Sequence, residues 1–120
     1  MRVLVCGGRD YTDNVNVYNT LDKLLNPNNE PLPPVNHVVI HGGARGADLL
    51  ADEWAVTNWV SIKEYKADWA RWGKYAGPIR NKQMLDEGKP DLVIAFPGGK
   101  GTANMIKQAK EYGIEVREIS

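Results

Sequence analysis

Three short apolar runs in this sequence end directly in a glycine-rich turn that leads toward a helical stretch. The turns are Cys6-Gly7-Gly8-Arg9-Asp10-Tyr11-Thr12, His41-Gly42-Gly43-Ala44-Arg45-Gly46-Ala47-Asp48 and Phe96-Pro97-Gly98-Gly99-Lys100-Gly101-Thr102. A chain that repeats strand, glycine turn and helix is confined to an α/β architecture, because each helix must bury its apolar stripe on a sheet. Five runs qualify as strands: Val3–Cys6, His37–His41, Ser61–Tyr65, Leu92–Phe96 and Ile114–Ile119. The first, second and fourth are β-branched and nearly continuous, the pattern of strands covered on both faces. The third and fifth alternate, with Glu64 beside Ile62 and Glu115 and Arg117 around Val116, which suits the edges of a sheet.

Helical periodicity fills the gaps. Val17, Leu21, Leu24 and Leu25 share one face, with Thr12 or Asp13 as N-cap. Ala47, Leu50, Ala51, Trp54 and Asn58 form a stripe from Gly46 to about Trp59. A shorter helix is predicted over Ile79–Glu87, entered by Pro78 and closed by Gly88. Thr102, Ile106 and Ala109 share a face of the last helix, which Gly113 terminates. Asn26–Asn36, rich in Pro and Asn, reads as a loop, and Ala67–Gly77 as an irregular segment carrying Trp69 and Trp72. The order β-α-β-α-β-α-β-α-β over one domain, residues 1–120, implies a Rossmann-like three-layer sandwich. Right-handed crossovers favour a five-stranded parallel sheet of order 3-2-1-4-5.

Charge and cysteine content narrow the function. Fifteen basic and fifteen acidic residues cancel, so the chain lacks the overall basic footprint of a non-specific nucleic-acid binder. With a single cysteine, Cys6, no internal disulfide forms and no cysteine zinc site exists. The short apolar N-terminus gives no signal peptide or membrane span, and the cytoplasm is the expected location. No resident cofactor or metal is expected, since no Walker ending, no GxGxxG at the first strand, no GxSxG and no metal-spaced cluster of His, Asp and Glu is present.

In open α/β sheets ligands bind beyond the carboxyl ends of the strands. Glycines there let a phosphate approach the backbone, and the N–H groups opening the next helix point at it. The candidate ligand-binding residues are therefore Gly7, Gly8, Arg9 and Thr12 from the first turn, Gly42, Gly43, Arg45 and Gly46 from the second, and Pro97, Gly98, Gly99, Gly101 and Thr102 from the third. Arg80, with Asn81 next to it, adds an arginine whose planar fork suits phosphate. Asp48, Asp10 and Asp68 are the acids near the proposed cleft, and Asp48 also gains simply from sitting in the first turn of a helix. Trp69 is a candidate to stack on a base, Trp72 to sit in a subunit interface. Lys100 is expected to point to solvent. Four tryptophans on so short a chain suggest a homodimer or larger assembly.

These motifs resemble the SLOG superfamily, which includes LOG-type phosphoribohydrolases and DprA Rossmann-like domains. Residues 96–102 are similar to its PGGxGT loop, Gly7-Gly8-Arg9 with Thr12 to its first glycine loop, and Gly43–Asp48 to the GxARGID element of the DprA branch. With Gly77-Pro78-Ile79-Arg80-Asn81, the chain most closely resembles the small YspA-like members, common in bacteria and phages. The resemblance implies binding or sensing of a nucleotide-derived ligand, or hydrolysis of a nucleotide's glycosidic bond, with Arg80 at the position of the phosphoribohydrolase arginine. A DprA-like nucleic-acid binder is a third reading, against which the balanced charge weighs. Two departures stand out. Gly77 and Asn81 replace the Met and Lys of that arginine's motif, and Met105 replaces the glutamate of PGGxGTxxE, the acid expected to assist hydrolysis. Asp48, Asp10 or Asp68 would then have to stand in for it.

Overall fold

The computed structural model describes residues 1–30 and 36–120. Residues 31–35, part of the loop expected over 26–36, lie outside the described residues. The elements are β1 (Arg2–Cys6), α1 (Asn14–Leu25), β2 (Val38–His41), α2 (Ala47–Thr57), β3 (Ser61–Glu64), α3 (Trp69–Trp72), a 3₁₀ turn (Gly73–Tyr75), α4 (Ala76–Gly88), β4 (Leu92–Ala95), α5 (Lys100–Glu111) and β5 (Glu115–Glu118). All five strands are parallel, in the order β3-β2-β1-β4-β5. This is the Rossmann-like order expected, with the two alternating strands at the edges.

The continuous apolar runs explain the layering. Along β1, Val3 and Val5 face a core built with Val17, Leu21 and Trp54 of α1 and α2, while Leu4 and Cys6 face the other side with Met84, Leu85, Met105 and Ala109 of α4 and α5. Neither face meets water, so every residue of the strand interior is apolar. The chain moves outward from β1 through β2 to β3, then returns to lay β4 against the other side of β1, with Leu4 opposite Val93 and Val5 opposite Ile94. The reversal puts the topological switch point between β1 and β4, where such sheets hold ligands.

Of the two N-cap candidates, Asp13 caps α1, its Oδ1 accepting from the Asn16 N–H at 3.0 Å. Local chemistry set other boundaries away from expectation. Helix α4 starts at Ala76 rather than Ile79. Pro78 costs nothing there, because first-turn N–H groups have no partner inside a helix. Gly77 before it lacks the Cβ that ordinarily bars the α conformation ahead of proline. Gly88 is not the left-handed stop expected: it is the last, buried residue of the helix, and Lys89 takes the left-handed conformation at φ 48°. A Cβ on Gly88 would fall 3.3 Å from Ile40 Cδ1, so this glycine serves the packing of α4 on β2. The irregular segment holds the short helix α3, capped by Asp68, whose Oδ1 accepts from the Arg71 N–H at 3.1 Å.

Candidate functional site

The three glycine turns meet at one edge of the sheet. The Gly8 N–H donates to Pro97 O at 2.9 Å, tying the first turn to the third. A Cβ on Gly8 would lie 3.1 Å from Gly98 Cα, and one on Gly98 would lie 2.7 Å from Gly8 N. The second turn crosses the first as closely: a Cβ on Gly46, whose φ is 84°, would sit 2.8 Å from the Arg9 carbonyl carbon. Gly8, Gly46 and Gly98 are thus explained by the approach of one backbone to another.

Gly99 and Gly101 are not. No protein atom lies within 4 Å of a Cβ built on either, and neither has a positive φ. Both line a cavity of about 370 Å³ at the β1/β4 switch point, together with Gly7, Gly8, Arg9, Asp48, Trp69, Arg80 and Thr102. Among the described residues, no protein acceptor takes the N–H groups of Gly99, Lys100, Gly101 or Thr102. These donors open α5, whose dipole favours an anion in front of them.

Arg80 faces this loop from α4, its guanidinium held in place. Nη1 donates to Gly42 O at 2.7 Å and Nε to Asn81 Oδ1 at 3.1 Å. A Cβ on Gly42 would come 2.7 Å from Arg80 Cζ, so that glycine makes room for the arginine. Burial lowers the Arg80 pKa, Asp48 offsets this, and nearby Arg9 lowers it again. Asn81 is buried, and its amide donates to Gly101 O at 3.2 Å and Asn104 Oδ1 at 3.1 Å. It lines the cavity, with its amide and carbonyl engaged in fixing Arg80 and the third turn.

The acids separate. Asp48 is buried and lines the cavity, with Oδ2 accepting from the N–H groups of Gly42 at 3.0 Å and Ala44 at 3.4 Å. Burial raises its pKa, while His41, the two backbone donors and Arg80 act to lower it. Asp10 is exposed and 3.6 Å from Arg45 Nη2, and Asp68 caps α3, so neither lines this cavity. Thr12 is exposed and lines no part of it either. Pro97, Gly98 and Gly46 shape the turns without facing the cavity, whereas Thr102 does face it.

Arg9 lies over the Trp69 ring, its Cζ 5.5 Å from the centroid. Both also border an adjoining cavity of about 550 Å³ lined by Gly42, Gly43, Arg45, Lys66 and Arg80. The sequence reading missed Lys66, Ala44 and Gly77, and Lys100 lines the first cavity rather than pointing only to solvent. Lys66 follows β3 as directly as Arg9 follows β1, a strand-end position that could have been flagged. Cys6 lines the cavity floor, but burial first, with Asp48, pushes its thiol up to about 12, so it is no nucleophile at neutral pH. His41 is buried and accepts from the Gly43 N–H at Nδ1 (3.0 Å), which leaves its ring proton on Nε2, 2.7 Å from Asp52. The imidazole is thereby committed to holding the second turn, although Glu64 also lies close by. Met105, where the resemblance calls for a glutamate, is fully buried in the core and lines neither cavity.

Comparisons with known proteins agree with this fold. The YAcAr family model, described as the YspA, cpYpsA-related SLOG family, matches residues 1–72. The Gene 61 protein of Mycobacterium phage D29 is 38% identical over 125 residues, covering 96% of this chain and 93% of that protein. In structure the chain is similar to DNA processing protein A (DprA) from Streptococcus pneumoniae, with TM-score 0.77 and 18% identity. That match covers 99% of this chain and 50% of DprA, so the chain spans half the length of that neighbour. It is also similar to the protein TM1055, with TM-score 0.66, 19% identity, and coverage of 97% of this chain and 72% of that one. At these identities the two structures speak to the fold alone. Family model and phage relative together show that the chain belongs to the YspA, cpYpsA-related SLOG family.

Proposed function

We propose that this protein binds or senses a nucleotide or nucleotide-derived phosphorylated ligand in the cleft at the β1/β4 switch point. The observation that carries this reading is the row of N–H groups from Gly99 to Thr102 that meets no acceptor among the described residues, beside Gly99 and Gly101, whose missing Cβ atoms would face open space. A phosphoryl group seated there meets backbone donors, the Thr102 hydroxyl and the Arg80 fork. Trp69 and Arg9 stand at the wall where a base or sugar would lie. Among the described residues no helix is long and apolar enough to cross a membrane, and a reducing cytoplasm suits the buried free thiol of Cys6. The exposed tryptophans Trp59, Trp69 and Trp72 favour self-association over a lone monomer.

Calorimetry with a panel of mononucleotides tests the reading. Arg80→Ala should weaken the best ligand by about 1.5–3 kcal/mol, the worth of a charge-assisted hydrogen bond. Gly99→Val should abolish binding by filling the phosphate's volume. Unchanged affinity in both folded variants would overturn the proposal.

A second reading, hydrolysis of a nucleotide's N-glycosidic bond, is favoured by one observation: Asp48 is a buried carboxyl in the cavity with its pKa raised by burial. Chromatography would show released base with the wild type and none with Asp48→Asn. Binding without any release of base would leave the first reading alone standing.

A further inference from the structure

The cavity at the glycine loop does not end at Arg80. It continues into the second compartment, where Arg9, Arg45, Lys66 and Arg80 all contribute to the lining and no acid does. The partners of these cations lie outside the lining and hold them loosely. Arg45 is 3.6 Å from Asp10, and Lys66 is 3.5 Å from Glu64, all but Glu64 strongly exposed. Among the described residues Arg9 has only the Trp69 ring. Arg80 Nη2 donates to no protein acceptor among the described residues. Burial is the first cause of the lowered Arg80 pKa; Asp48, on the side of the first cavity, offsets it, and the like charge of Arg9 adds to it.

Three of the backbone donors lining this compartment are already taken. The N–H groups of Gly42 and Ala44 go to Asp48 and that of Gly43 to His41. Four side-chain cations are gathered there, unlike the backbone cradle at Gly99–Thr102. Strand order fixes the distance between the two. The Gly99–Thr102 loop follows β4, Arg45 follows β2 and Lys66 follows β3. At the usual spacing of strands, the ends of β2 and β3 stand about 10 and 14 Å from the end of β4. A single phosphate cannot meet both sets.

We infer that the cleft takes a ligand with two separately placed phosphoryl groups, a ribose-sized body phosphorylated at both ends. One phosphoryl sits on the Gly99–Thr102 loop, and the other lies among Arg9, Arg45 and Lys66, with Arg80 between them. This inference rests on the phosphate-loop reading and extends it to the class of ligand.

The test uses inorganic phosphate followed by paired probes. In amide-resolved NMR titrations of the ¹⁵N-labelled protein, phosphate should shift Gly99–Thr102 and, separately, Arg45 and Lys66. The double variant Arg45→Ala/Lys66→Ala should lose only the second set. Ribose 1,5-bisphosphate should bind at least tenfold more tightly than ribose 5-phosphate, and adenosine 3′,5′-bisphosphate more tightly than AMP. In the double variant each ratio should fall to about one. If the loop alone responds and the double variant binds every probe as the wild type does, the two-anion inference is overturned while the phosphate-loop reading stands. If the loop does not respond, both fall. Affinity for oligothymidylate that climbs from two to ten residues, with no preference for the bisphosphates, would overturn it in favour of a nucleic-acid strand.

Discussion

Asp48 is the residue at which fold and chemistry pull in different directions. Its carboxylate staples the second glycine turn through two backbone N–H groups, yet burial raises its pKa above the ordinary aspartate value. A carboxyl whose folded pKa exceeds its unfolded value penalises the folded state once ionised. The penalty is absent below the unfolded pKa and complete above the folded one. Asparagine keeps an oxygen to accept the same hydrogen bonds and carries no charge. Asp48→Asn should therefore gain in melting temperature relative to wild type as the pH rises from 4 to 7. Thermal melts at the two pH values check this, and a difference independent of pH would refute the linkage.

The turns show what could and could not be read before folding. Strand and helix alternation, the edge character of β3 and β5 and the meeting of three glycine turns were all legible, because each follows from periodicity and local turn chemistry. Which of the candidate acids face the cavity was not. Asp68 is drawn off to cap α3 and Asp10 lies in solvent beside Arg45, whereas Asp48 lines the cavity and bonds the second turn. Such competition between local hydrogen bonds is decided by three-dimensional placement, which spacing along the chain does not reveal. The glycines divide on the same ground. Gly46, at positive φ and pressed against the first turn, should lose roughly 1–3 kcal/mol of stability on mutation to alanine. Denaturant unfolding measures it, and a loss below about 0.5 kcal/mol would show that the turns yield more readily than their contacts imply.

For the whole molecule, three of four tryptophans remain exposed, while Trp54 alone is buried, its Nε1 donating to Asp22 at 2.8 Å. Light scattering at high micromolar concentration should give at least twice the chain mass of 13.4 kDa, and a monomer mass would contradict self-association. The larger question is whether the cleft exists to hold an anion. A ligand that binds only the folded protein stabilises it, by about 2.7 kcal/mol at one hundred times its Kd, so binding and stability can be read in one experiment. Gly101 separates the two most cleanly, since it lies in the first turn of α5 with open space where a Cβ would go. Alanine there suits the helix and removes backbone entropy from the unfolded chain. The most direct measurement is therefore the melting temperature of Gly101→Ala with and without saturating nucleotide, paired with calorimetric affinity. We predict an unchanged or higher melting temperature without ligand, together with at least a tenfold loss of affinity and a reduced shift on adding it. A lower melting temperature without ligand, with affinity intact, would show that this glycine serves packing and that the loop is not the phosphate site.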